Sequence, residues 1–174
     1  MALYFAYGSN MLEPRLRARC PSARLIGAAS CAGHDIAFDK IGLDGSGKAT
    51  LMGWAGGTVR GGLYQLDARD IEALDLFEGV GLGYDRIELE VTQGPRVHLA
   101  FTYQAGPRFR QPGLPVFDWY LDLVLAGARQ LALPDAWIAR LAAIEAEPDP
   151  LPDRDRRAEA LALLSAIPAA WRRG

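Results

Sequence analysis

Residues 85–103, Asp85-Arg86-Ile87-Glu88-Leu89-Glu90-Val91-Thr92-Gln93-Gly94-Pro95-Arg96-Val97-His98-Leu99-Ala100-Phe101-Thr102-Tyr103, read as a β-hairpin. Ile87, Leu89 and Val91 alternate with Glu88 and Glu90, the two-residue period of a strand with one buried face. Gln93-Gly94-Pro95-Arg96 is turn chemistry, and Val97–Tyr103 pairs back. Upstream, Leu3–Tyr7, Arg24–Ile26, His34–Phe38, Ala49–Trp54 and Leu63–Leu66 read as further strand pieces, with Gly56-Gly57 and Gly61-Gly62 as punctuation. Two helices interrupt them. Pro14 suits the first turn of one ending near Cys20-Pro21, and Asp67 can cap another, whose stripe of Ile71, Leu74 and Phe77 is expected to point inward before Gly79.

Beyond Pro115 the pattern becomes helical. Phe117–Leu131 and Ala136–Ile144 read as amphipathic helices, acidic, Pro-rich Glu145–Asp153 as a linker and Arg156–Ile167 as a terminal helix. A β-rich body followed by helices implies an α+β chain, not alternating βαβ units. A length of 174 residues fits one domain over 1–174, with residues 154–174 as a C-terminal helix.

Composition excludes several classes. A net charge of −2 argues against a nucleic-acid-binding protein. Two cysteines do not make a secreted disulfide scaffold, and no apolar run reaches the length of a membrane span. The start, MALYFAYGSN, lacks the basic and apolar regions of a signal peptide, so a cytoplasmic location is expected. There is no phosphate-binding GxxxxGK[ST] loop and no GxSxG nucleophile elbow. Cys20, Cys31 and His34 match no zinc spacing, so neither metal nor cofactor is expected.

Two stretches carry candidate chemistry. Tyr7-Gly8-Ser9-Asn10 takes a buried strand into a loop just before a helix, leaving backbone N–H groups without ladder partners. Such a loop can cradle a carboxylate or oxyanion; a tight turn with an Asn cap is the competing reading. Glu78 ends the second helix beside its apolar stripe, followed by Gly79-Val80-Gly81-Leu82-Gly83. Burial there would raise its pKa and make it a base; a solvated helix-end glutamate is the alternative, although a carboxylate at a helix C-terminus opposes the helix dipole. Tyr84, Tyr103, Tyr120, Trp54 and Trp119 are pocket or core aromatics, and Lys48, Arg108 and Arg110 read as surface charges.

Tyr4-Phe5-Ala6-Tyr7-Gly8-Ser9-Asn10 followed by Leu74-Asp75-Leu76-Phe77-Glu78-Gly79-Val80 resembles the γ-glutamylcyclotransferase family. Lys48-Ala49-Thr50-Leu51 between them, Tyr84 after the glutamate and Ala146-Glu147-Pro148-Asp149 add to the likeness, which covers most of residues 3–153. The resemblance implies a small, distorted, mixed β-barrel with surrounding helices. It implies an enzyme in which the α-amine of a γ-glutamyl group attacks its own γ-carbonyl, releasing 5-oxoproline and an amine. Glu78 then matches the catalytic glutamate; Tyr4, Phe5, Ala6, Tyr7, Gly8, Ser9 and Asn10 match the substrate-binding strand and loop; and Tyr84, Tyr103 and Tyr120 fall at pocket positions. YGSN is not the YGSL-type form of the glutathione-specific branch. The expected partner is a small γ-glutamyl compound, with no nucleic acid and no membrane, and a homodimer stays open. A non-catalytic metabolite-binding member and an enzyme that deprotects a γ-glutamyl amine in biosynthesis are the alternatives.

Overall fold

The computed structural model describes residues 1–172; the last two residues of the expected C-terminal segment lie outside the described ones. Five strands close into a barrel in the order β1 (Ala2–Ala6), β3 (Gly47–Leu66), β2 (Arg24–Ile41), β4 (Tyr84–Gln93) and β5 (Arg96–Ala105). Neighbours run antiparallel except at the closure, where Tyr4 of β1 faces Phe101 of β5 in a parallel pair, so the barrel is mixed. The hairpin has the expected register, Gln93 opposite Arg96 and Tyr84 opposite Ala105.

The strands read as four pieces between Arg24 and Leu66 are two long ones, of 18 and 20 residues. They pair from Arg24–Gln65 to Ile41–Gly47, with register shifts at Leu25/Gly27, Ala32/His34 and Ala37/Lys40. The glycines that looked like breaks let the strands coil into a tight barrel. A Cβ on Gly61 would sit 2.2 Å from the Ala6 carbonyl oxygen, so only glycine admits that approach.

The helices are α1 (Glu13–Arg19), α2 (Ala68–Glu78), α3 (Asp118–Gln130), α4 (Asp135–Ala142) and α5 (Asp155–Ala166). Helix α3 is the internal strut: Trp119, Leu121, Leu123, Val124, Leu125, Ala126 and Ala128 are all buried. It presses on the short 3-10 turn Ser9–Met11 that follows β1. A Cβ on Gly127 would lie 2.6 Å from Leu12 N and from Met11 Cβ. Helix and loop are thereby set against each other at van der Waals limits.

Two expectations need correction. Leu74 is fully buried and Ile71 half-buried, but Phe77 is 55% exposed, because its ring lies beneath the Arg19 guanidinium at the mouth of a cavity. The segment 145–153 is not a free linker. Glu147 bridges Phe117 in parallel, its N–H donating to Val116 O at 2.8 Å, and Asp149 is buried among hydrogen bonds. No described helix is long and apolar enough to cross a membrane.

Candidate active site

Two connected chambers open between the end of α2, the loop after β1 and the start of α3. The inner one, of about 40 Å³, is lined by Tyr4, Tyr7, Gly8, Ser9, Asn10, Ala49, Glu78, Tyr84, Tyr103 and Tyr120. The outer one, of about 550 Å³, shares Ser9, Glu78, Tyr84 and Tyr120 with it. The inner volume suits about three water-sized groups, enough for a carboxylate or the closing edge of a small ring.

Glu78 stands at the junction, with its side chain 16% exposed. Gly79 ends α2 in the left-handed conformation (φ 65°), which suits a residue without Cβ and turns the chain sharply after the carboxylate. Asn10 Nδ2 donates to Glu78 Oε1 at 3.0 Å, and Arg19 donates to the same oxygen at 3.3 Å. Asn10 Nδ2 also donates to the Tyr4 hydroxyl at 3.2 Å. Helix α2 is itself pinned to the barrel through Asp75, which accepts from Tyr103 OH and from Arg86, each at 2.7 Å. Among the described residues no hydrogen bond falls on Glu78 Oε2.

The tyrosines divide by what their hydroxyls do. Tyr7 donates to the Tyr103 carbonyl, Tyr84 donates to Ala49 O at 2.7 Å, and Tyr103 is spent on Asp75. Among the described residues Tyr4 and Tyr120 only accept, from Asn10 and from Ala49 N–H, which leaves their protons for a ligand. Burial is the main force raising the pKa of all five, to about 12 for Tyr120, and the nearby Glu78 charge adds to it. They act as neutral donors. The 3-10 turn begins its internal hydrogen bonds at Met11 N, donating to Gly8 O, so the N–H groups of Ser9 and Asn10 have no acceptor within the turn.

Nine of the eleven expected site residues, Glu78 among them, line the chambers; Phe5 and Ala6 do not. Both are fully buried, and Phe5 contributes its carbonyl to Thr102 Oγ1 at 2.7 Å, so they carry the strand rather than touch the cavity. Trp54 is 61% exposed and far from being a lining residue, whereas Trp119 does line the outer chamber. Sequence reasoning missed the cations. Arg15, Arg19, Lys40, Lys48 and Arg156 all line the outer chamber. Lys48 is no surface charge: its ammonium lies 4.6 Å from the Tyr120 ring centre and 2.8 Å from Asp44. Arg110 is likewise engaged, by both Asp39 oxygens at 2.9 and 2.8 Å. The spacing of α1 held a usable signal, since Arg15 and Arg19 are one helical turn apart while Arg17 between them is exposed.

The chain is similar to known proteins in both sequence and shape. The AIG2-like family model matches residues 58–141. A mouse γ-glutamylcyclotransferase is 31% identical over 157 residues, covering 82% of this chain and 78% of its own. Its human counterpart is 30% identical over 155 residues with the same coverage. A solved structure of a γ-glutamyl cyclotransferase superposes with a TM-score of 0.82 at 26% identity, covering 93% of this chain and 98% of the other. YkqA from Bacillus subtilis shares the fold at a TM-score of 0.71 and 22% identity, over 84% of this chain and 56% of that one. With the barrel, the loop after β1 and the glutamate at the end of α2 in place, the chain belongs to the γ-glutamylcyclotransferase family of enzymes.

Proposed function

We propose that this enzyme cyclises a γ-glutamyl amine to 5-oxoproline and the free amine, with Glu78 as the proton carrier. The observation that supports this best is the state of Glu78 at the junction of both chambers: one carboxylate oxygen is held by Asn10 and Arg19, while the other receives no hydrogen bond among the described residues. A free α-amine has a pKa of roughly 8, so it arrives mostly as ammonium and must lose a proton before it can attack.

In the proposed reaction the α-nitrogen forms a bond to the γ-carbonyl carbon, and the bond from that carbon to the leaving nitrogen breaks. Two of the three ammonium protons leave the α-nitrogen, and the leaving nitrogen gains two and departs as an ammonium. Glu78 Oε2 is the site through which they pass. The oxyanion formed between these steps is met by neutral donors, for which the Tyr4 and Tyr120 hydroxyls and the Ser9 and Asn10 N–H groups are the candidates. Because nucleophile and electrophile belong to one chain, the inner chamber has chiefly to fold the glutamyl group toward its ring, a gain of proximity and not of new bonds.

Heavy-oxygen water tests the reading. Cyclisation puts no solvent oxygen into 5-oxoproline, whereas hydrolysis labels released glutamate. Incubation with γ-glutamyl-alanine is expected to give unlabelled 5-oxoproline, and the N-acetyl derivative, whose nitrogen has lost its basic lone pair, is expected to give no product. Labelled glutamate as the first product overturns the proposal.

A further inference from the structure

The outer chamber holds more positive charge than a glutamyl group can neutralise. Five cations line it, and Glu78 is the sole carboxylate among its lining residues. Arg19 is paired with Glu78 and Lys48 with Asp44. Arg15, Lys40 and Arg156 have no carboxylate partner among the described residues. Arg15 is only 9% exposed, yet among the described residues it makes one hydrogen bond, donating from Nε to Ser9 Oγ at 3.2 Å. Lys40 Nζ rests 4.8 Å from the Tyr84 ring centre. Arg156 stands in the first turn of α5, where a cation opposes the helix dipole, so helix stability does not account for it.

These charges strain one another. Burial, with Arg19 next in weight, lowers the Arg15 pKa to about 10. Burial also lowers Lys40 and Lys48, and the charge of Arg156 pushes both in the same direction. A γ-glutamyl head group brings one ammonium and one carboxylate, a net charge of zero, so it leaves this excess in place. Negative charge must therefore come from the other half of the substrate. The rim adds a second requirement: Leu43, Leu76 and Leu82 are 92, 84 and 85% exposed there, a surface suited to an aliphatic stem.

We infer that the outer chamber is the subsite for an anionic leaving amine, above all a dicarboxylic amino acid, with Lys40 and Arg156 as the residues that select it. The inference rests on the cyclotransferase reading for its turnover assay and on charge alone for its binding assay.

The test compares γ-glutamyl-glutamate, γ-glutamyl-alanine and γ-glutamyl-methylamide, whose leaving amines carry two, one and no carboxylates. The expected order of kcat/KM follows the carboxylate count, with about tenfold between the first and the last, and higher salt narrows the gap. Lys40→Gln and Arg156→Gln should each cut the ratio of first to last by about fivefold. Arg108→Gln, which removes an exposed cation outside the chamber, should leave that ratio alone. Calorimetry with the Glu78→Gln protein reads the same preference in Kd without chemistry. A flat or reversed order, or a ratio untouched by both chamber variants, overturns the inference while leaving cyclisation intact. If none of the three compounds yields 5-oxoproline, the cyclotransferase reading fails, and the order of Kd values alone then decides whether the chamber selects anions.

Discussion

Replacing Glu78 by glutamine keeps the shape of the side chain and the oxygen that receives Asn10 and Arg19, and removes the proton acceptor. A positioned general base contributes about 10²–10⁴-fold, so Glu78→Gln is expected to lower kcat by roughly a thousandfold with KM changed only a few-fold. Turnover within threefold of the unsubstituted enzyme would move the base elsewhere. At this scale the sequence was legible where a residue broke a local rule: a carboxylate at a helix C-terminus and a glycine-polar loop ending a buried strand both stood out. The cations did not stand out. Lysine and arginine are ordinarily solvated, and nothing local distinguishes Lys48, stacked on Tyr120, from Arg108 on the surface. Their surroundings come from far along the chain: Phe77 and Glu78 for Arg19, Tyr84 for Lys40, Trp119 and Tyr120 for Lys48.

Helix α3 and the loop after β1 meet at Gly127, and both carry site residues: Tyr120 on the helix, Ser9 and Asn10 on the loop. Intrinsic propensity favours alanine over glycine in a helix by about 1 kcal/mol. Here the added carbon would lie 2.6 Å from Leu12 N and Met11 Cβ, and one of those contacts is backbone. The clash should win: Gly127→Ala is expected to destabilise the protein by about 1–3 kcal/mol and to lower kcat/KM by displacing Tyr120 from the Gly8 loop. A melting temperature that rises, as propensity alone demands, would refute this. The same close approaches explain why the helices were easier to read than the long strands. Helix α3 announces itself by thirteen consecutive residues without a breaker other than Gly127. Strands β2 and β3 are interrupted by glycines whose purpose appears only when the barrel closes, as at Gly61 against Ala6.

Within the C-terminal third of the molecule, one buried carboxylate ties α3 to the segment that leads into α5. Asp149 accepts Trp119 Nε1 at 3.0 Å, Arg154 Nε at 2.8 Å and Leu151 N–H at 2.9 Å. It thereby joins α3 to the residues that lead into α5, which brings Arg156 to the outer chamber. Burial alone would raise the Asp149 pKa, but the hydrogen bonds from Arg154, Leu151 and Trp119 outweigh it and hold the group at about 2. A carboxyl whose folded pKa lies below its unfolded value of 3.8 stabilises the protein fully above that value, and the stabilisation is lost as pH falls from there through about 2. Asp149→Asn should therefore melt roughly 5 °C below the unsubstituted protein at pH 7, since it leaves Arg154 without its partner. Between pH 4 and pH 2 the two proteins should converge, because the native carboxyl is being protonated while the amide is indifferent to pH. Denaturant melts across that range read the difference directly. A gap that stays constant down to pH 2 would mean that Asp149 acts through packing and not through its charge, and would detach the placement of Arg156 from this clamp.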